Sequence, residues 1–233
     1  MVDNHVGVVI QARMGSSRLP GKSLMNLGEK PLIDYVIERC IAAVQNEKVV
    51  VVTTSLKEDD ALESHIREKY SIHVYRGDTF DVRSRYEAVA KEFEFEGIVR
   101  VTADDPFKDP NHIYEAIHAL DDTHIDYFNN FEIPIFPIGL DVESFKTEVL
   151  FRNIQIDESE NSREHVTYGL RKSSQVVKRH RTGVPEFTEV RLTIDTAEDF
   201  DFCSKLLEVN PELGRTALDW AATREALVSV KNR

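Results

Sequence analysis

Short runs of β-branched residues alternate with longer stretches whose apolar positions recur every three or four residues. Val6 to Gln11 and Lys48 to Thr53 are almost continuously apolar, the pattern of strands covered on both faces of a parallel sheet. Ser71 to Tyr75 and Gly97 to Thr102 extend the set of strands. Lys30 to Val44 carries Leu32, Ile33, Val36, Ile37 and Ile41 at helical spacing, with Pro31 suited to the first turn. Glu58 to Tyr70, Asp78 to Phe93 and Asp109 to Leu120 also read as helices. This alternation predicts a doubly wound, mostly parallel α/β fold of Rossmann-like type, with its ligand site beyond the carboxyl ends of the strands.

After Asp121 the regularity breaks down into Asp126 to Asn130, the proline-bearing Glu132 to Gly139, and a strand-like Leu140 to Phe145. Asn161 to Lys172 is expected as a helix and Ser174 to Arg181 as an exposed strand. Val190 to Ile194 is expected to return a strand to the main sheet, followed by helices over Ala197 to Val209 and Ala217 to Val228. With no internal repeat or low-complexity linker, residues 1–233 read as a single domain.

Composition narrows the function. A net charge of −12 argues against a nucleic-acid binder or an anionic-membrane binder that relies on overall charge. Cys40 and Cys203 are the only cysteines, so a disulfide framework or a cysteine metal site is not expected. No apolar stretch reaches the ~20 residues of a membrane span, and the start lacks a secretion-signal pattern, so the expected compartment is the cytoplasm.

Against that acidic background, the loop after the first strand is basic. Gly15 and Gly21 allow close backbone approach, Ser16 and Ser17 offer hydroxyls, and Arg13, Arg18 and Lys22 supply positive charge. Gly21-Lys22-Ser23 spells the end of a Walker-type loop, yet five residues separate Gly15 from Gly21 where that loop needs about four. Pro20 also removes a backbone donor. A plain solvated basic loop is the alternative to a phosphate site.

Two acidic strand ends complete the candidate chemistry. Thr102-Ala103-Asp104-Asp105-Pro106 closes a strand, where carboxylates can hold a hard cation. Two like charges ~4 Å apart cost about 4 kcal/mol at an effective dielectric of ~20, so such an edge faces a polyphosphate only through a divalent ion. The same residues are also an ordinary turn and helix start. Arg191 to Glu198 repeats the ambiguity, because Asp195 or Thr196 can cap the following helix as well as bind metal.

Gln-Ala-Arg-x-x-Ser-x-Arg-Leu-Pro-Gly-Lys, standing at Gln11 to Lys22, resembles the signature loop of cytidylyltransferases that activate sugar acids. That group includes CMP-Kdo synthetases and the spore-coat polysaccharide cytidylyltransferase-like proteins. The resemblance implies that Ala12, Arg13, Met14, Gly15, Ser16, Ser17, Arg18 and Lys22 wrap the triphosphate of CTP, the co-substrate. It also implies that Asp104 and Asp195 bind Mg²⁺, and that Arg13 and Lys22 act with them in catalysis. Asp105 stands where CMP-Kdo synthetases usually carry glutamate, which leaves its role open. Arg76, Gly77 and Asp78 correspond to the region that meets the base, in a form nearer the spore-coat type. Gly139, Asp141 and Glu143 resemble the segment entering a protruding arm, and Arg163, Glu164 and His165 resemble a sugar-facing helix. On the helix alone, Arg-Glu-His is an ordinary solvated face.

The implied reaction is CMP transfer from CTP to a small acidic sugar of 2-keto-3-deoxy type, with pyrophosphate release, for surface polysaccharide synthesis. The implied assembly is a homodimer joined through an inserted lobe at about residues 125–185, with no nucleic acid or membrane partner. Two other classes fit the motifs: a glycosyltransferase of GT-A type using a ready-made nucleotide sugar, and a non-catalytic nucleotide-binding relative.

Overall fold

The computed structural model describes residues 5–154, 157–215 and 220–231. Four parallel strands form its heart: β1 (Val6–Gln11), β4 (Val49–Thr54), β5 (His73–Gly77) and β6 (Gly97–Thr102). A small antiparallel pair, β2 (Asn26–Leu27) and β3 (Lys30–Pro31), follows the basic loop. Three short strands, β7 (Tyr127–Asn129), β8 (Glu143–Lys146) and β9 (Lys178–His180), extend the main sheet, giving the order β5-β4-β1-β6-β8-β7-β9. β8 runs antiparallel to both β6 and β7, and β9 runs parallel to β7.

The two-residue period of the strands divides the core. Val8, Ile10, Val49, Val51, Val99 and Val101 point to one face, onto α1 (Leu32–Ala43), α2 (Asp60–Lys69) and α4 (Pro110–Ala119). Val9, Val50, Val52 and Ile98 point to the other, onto α3 (Val82–Glu92), α5 (Thr147–Ile154) and α7 (Tyr168–Lys172). All six β4 residues are buried, which explains the unbroken apolar run. A third cluster, around Leu32, Phe107, Leu192, Ile194 and Leu206, docks α8 (Ala197–Val209) and α9 (Trp220–Lys231) beside the opening loop. Cys40 and Cys203 lie free in different clusters, and burial pushes both thiols well up.

Two expectations change in the second half. Val190 to Ile194 makes only an isolated parallel bridge, Ile138 with Arg191, because β8 already occupies the free edge of β6. The helix expected over Asn161 to Lys172 is two, α6 (Glu160–Glu164) and α7, broken where Val166 takes φ 43° to bury its side chain under the sheet. α5 was not anticipated from the sequence. From the segment expected as an arm, β7, β8 and β9 pair into the main sheet. The start of the last expected helix, Ala217 to Asp219, lies outside the described residues.

Candidate active site

The basic loop is held from behind by a buried carboxylate. Asp59 accepts hydrogen bonds from the Met14 N–H at 2.6 Å, the Thr54 N–H at 3.0 Å and the Thr54 hydroxyl, tying the loop to the end of β4. Gly21, at φ 76°, turns the chain so that its N–H reaches the Met14 carbonyl at 2.9 Å. The Ser23 hydroxyl donates to the Arg13 carbonyl at 3.1 Å. These bonds shape a cavity of about 190 Å³ at the carboxyl ends of β1 and β6. Ala12, Arg13, Ser16, Ser17, Arg18 and Lys22 line one side, and Thr102, Asp104 and Asp195 line the other. Met14 packs toward the core and Gly15 lies against the Glu58 carboxylate, so neither lines the cavity.

Lys22 joins the two sides. Its Nζ is 3.1 Å from Asp104 Oδ2 and 3.1 Å from Asp195 Oδ1, and donates to the Ile194 carbonyl at 2.6 Å. Arg18 reaches Asp195 at 2.9 Å, and Arg191 also pairs with it. Asp195 precedes a capping box in which Thr196 and Asp199 satisfy the first N–H groups of α8. Thr196 is thus the cap, and the Asp195 side chain, not used in capping, faces the cavity, where it meets Lys22, Arg18 and Arg191. Burial raises the Asp104 carboxyl, but the Lys22 ammonium outweighs it and holds Asp104 below the usual range. Asp105 turns away from the cavity of Lys22: it accepts from Thr102 at 2.9 Å, Lys108 at 2.8 Å and Thr193 at 2.6 Å, and burial pushes it up.

The Asp104 and Asp195 pair suits Mg²⁺, which typically takes one or two carboxylates and fills its shell with phosphate oxygens and water. Both carboxylates already converge on one ammonium. Among the described residues no group of three or more His, Cys, Asp or Glu gathers to hold a metal unaided.

Two further cavities flank this one. A larger cavity, of about 1070 Å³, shares Gln11 and Arg13 with it and is bordered by Asp78 to Val82, Ser84, Glu158, Glu160, Arg163 and Glu164. Phe80, 85% exposed, stands at its wall. On the other side a cavity of about 240 Å³ shares Thr102 and Asp104 and is lined by Arg100, Asp105, Phe131, Asp141, Glu143, Arg171 and Thr193. The expected sugar-binding residues are therefore divided: Asp141 and Glu143 face one cavity, Arg163 and Glu164 the other. Arg163 lies 3.6 Å from Asp81 and 3.8 Å from Glu158.

Besides Met14 and Gly15, four expected site residues fall outside these cavities. Arg76 is turned away by Asp60 at 2.6 Å and Glu63 at 3.0 Å, and also donates to the Thr54 and Leu56 carbonyls. Gly77 is packed under the Arg85 side chain, where an added Cβ would sit 2.6 Å from Cγ. Gly139 backs onto Leu192 and Thr193, and His165 is exposed outside the cavities described. Sequence reasoning missed Asp59, Phe80, Phe131 and Arg171. Only Asp59 left a trace, as one of the acids at the start of α2, and there it reads as a helix-terminal charge.

A cytidylyltransferase family profile matches residues 7–223. The chain belongs to the cytidylyltransferase family. Among its relatives, the spore coat polysaccharide biosynthesis protein SpsF of Bacillus subtilis is 33% identical over 218 residues, covering 88% of this chain and 87% of that protein. A 3-deoxy-manno-octulosonate cytidylyltransferase of Anaeromyxobacter sp. (strain K) is 33% identical over 119 residues, 50% of this chain and 48% of that one. The solved structure of a cytidylyltransferase from Leptospira borgpetersenii superposes with a TM-score of 0.90 at 28% identity, covering 98% of this chain and 95% of that one. As a cytidylyltransferase, the chain is a nucleotidyltransferase with CTP as substrate. No helix among the described residues is long and apolar enough to cross a membrane.

Proposed function

We propose that the protein is a Mg²⁺-dependent cytidylyltransferase that moves CMP from CTP to a sugar acid of 2-keto-3-deoxy type, releasing pyrophosphate, for surface polysaccharide synthesis. The observation that carries the reading is the convergence of Lys22, Asp104 and Asp195 within the loop cavity. A cation and two acids drawn from three distant segments serve a polyanion that arrives with a divalent ion.

In this reading the triphosphate lies in the loop cavity, with Ser16, Ser17 and Arg18 orienting it and Arg13 and Lys22 meeting the charge that gathers on pyrophosphate. Such transfers depend on positioning and charge stabilisation. Asp104 and Asp195 would hold the Mg²⁺, whose chemistry there is to neutralise phosphate charge. The nucleoside occupies the large cavity, with Phe80 offering a ring to the base and Asp78 an acceptor. The acceptor occupies the Arg100–Arg171 cavity. The sugar-acid class is supported by the 3-deoxy-manno-octulosonate relative, and the polysaccharide role by SpsF. We further propose, from the lack of a secretion pattern, that the chain works in the cytoplasm as a single domain, and, from the family resemblance of its sequence, as a homodimer paired through residues 125–185.

The test is a pyrophosphate-release screen of CTP, UTP, ATP and GTP against acidic sugars that include 3-deoxy-manno-octulosonate, with and without Mg²⁺. The expected result is Mg²⁺-dependent pyrophosphate with CTP alone. Release of UDP or GDP from a nucleotide sugar, or silence with every pair, overturns it.

A further inference from the structure

We infer that Asp141 is the proton acceptor for the attacking hydroxyl of the acceptor sugar. This rests on the CTP-transfer reading above and adds a residue that performs one of its steps.

The cavity of about 240 Å³ adjoins the loop cavity, the two sharing Thr102 and Asp104 as lining, so a molecule seated there would border a nucleotide bound in the loop. Four carboxylates line it: Asp104, Asp105, Asp141 and Glu143. Three are committed. Asp104 pairs with Lys22 at 3.1 Å and Asp105 with Lys108 at 2.8 Å. Glu143 takes Arg100 at 2.7 Å, the Tyr127 hydroxyl at 2.6 Å and the Thr167 hydroxyl at 2.9 Å. Asp141 differs: among the described residues no cation lies within ion-pair distance of its carboxylate, and the nearby Lys108 ammonium goes to its backbone carbonyl instead.

The backbone around Asp141 is fixed from both sides. The Asn130 side chain donates to the Leu140 carbonyl at 2.9 Å and accepts from the Val142 N–H at 2.7 Å, gripping the residues before and after. Gly139, at φ 108°, closes the turn against Thr193 so tightly that a Cβ would stand 2.7 Å from its nitrogen. A base held this way needs no reorganisation to meet a bound hydroxyl. Burial, helped by the neighbouring charges of Asp105 and Glu143 and opposed by Lys108 and the Gly139 N–H, brings the Asp141 carboxyl up to about 6. Across the cavity stand Arg100, held by Glu143, and the exposed Arg171, stacked 5.9 Å from the Phe131 ring and available to an acceptor carboxylate. A base poised near neutrality is ionised at working pH yet strong enough to take a proton.

In the step, the acceptor oxygen bonds to the α-phosphorus of CTP, and its proton passes to Asp141. The bond from the α-phosphorus to the bridging oxygen breaks and pyrophosphate departs. The proton then leaves Asp141 for water.

The test compares wild type with Asp141→Asn and Asp141→Glu in pyrophosphate release from CTP, using 3-deoxy-manno-octulosonate and related acids, alongside CTP binding without acceptor. The expected result is a loss of at least about 100-fold in kcat for Asp141→Asn, unchanged CTP affinity, and partial recovery in Asp141→Glu. The wild-type rate should fall by one proton's slope below about pH 6, and Asp141→Asn should lose that limb. An Asp141→Asn enzyme with a near wild-type rate and the same acid limb overturns the inference while leaving CTP transfer standing. Should Asp141→Asn fail to bind CTP, the wild-type profile decides, and a flat rate across that limb overturns it. Wild type that binds CTP and releases no pyrophosphate with any acid overturns the transfer reading itself, and this inference with it.

Discussion

Replacing Lys22 with methionine keeps most of the side-chain volume and removes the charge that holds the loop to the two acids. At 3.1 Å each contact corresponds to about 5 kcal/mol of attraction at an effective dielectric of ~20, before the cost of taking the ions from water. The Lys22 side chain is 12% exposed and Asp104 25%, so screening is partial and desolvation cancels much of the gain. Removing one partner of such a pair costs about 3 kcal/mol, because two carboxylates are left facing one another. The sign with pH follows from Asp104, whose carboxyl Lys22 holds below its usual range. The stabilisation is present above the unfolded value of about 4 and is lost as pH falls through the lower folded one. Urea denaturation should therefore show Lys22→Met less stable by about 3 kcal/mol at neutral pH, with the gap narrowing in acid. Mg²⁺ should stabilise the variant more than the wild type, since the acids are no longer occupied by an ammonium. Turnover should fall at least about tenfold, as loss of a transition-state cation requires. Equal midpoints at neutral pH together with unchanged pyrophosphate release would refute the argument.

Three other perturbations probe the packing of the fold and the site. His112 is buried against Phe136, and burial pushes its pKa down to about 4, below the unfolded value of about 6.5. The unfolded chain takes the proton first, so stability is full above about pH 6.5 and up to about 3 kcal/mol is lost as pH falls toward 4; melts of His112→Gln should lack this dependence. Phe80→Ala should raise KM for CTP about tenfold with little change in kcat or melting temperature, as loss of a base-stacking ring predicts; an unchanged KM removes the ring from the nucleoside site. Asp59→Asn leaves Met14 and Thr54 without a charged acceptor and should cost about 2 kcal/mol in chemical denaturation, with weaker CTP binding by calorimetry.

The convergence at the site was legible because strand pairing enforces it. Gln11 lies opposite Thr102 in the parallel β1–β6 ladder, so Arg13 and Asp104 leave the same edge side by side once both runs are recognised as strands. Asp195 was legible as a strand-end acid, although its approach depends on one backbone bond, Ile194 N–H to the Asp104 carbonyl at 2.8 Å, rather than on a ladder. Residues 125–185 were less legible: their strands are three or four residues long, too short for a period-two pattern to stand out. Arg76 shows the other limit. Its charge and place after β5 suit a ligand, but α2 sends Asp60 and Glu63 onto it, and no pattern local to Arg76 records them. Asp59 is the converse, an acid that looks like a helix-start charge until folding brings Met14, 45 positions earlier, onto its oxygen. What the pattern conveys is which edge of the sheet collects the charges; which side chain there remains open to a ligand depends on neighbours supplied by other elements. For that reason the contrast of Asp141, which meets no cation among the described residues, with three acids that do is visible only in the folded chain.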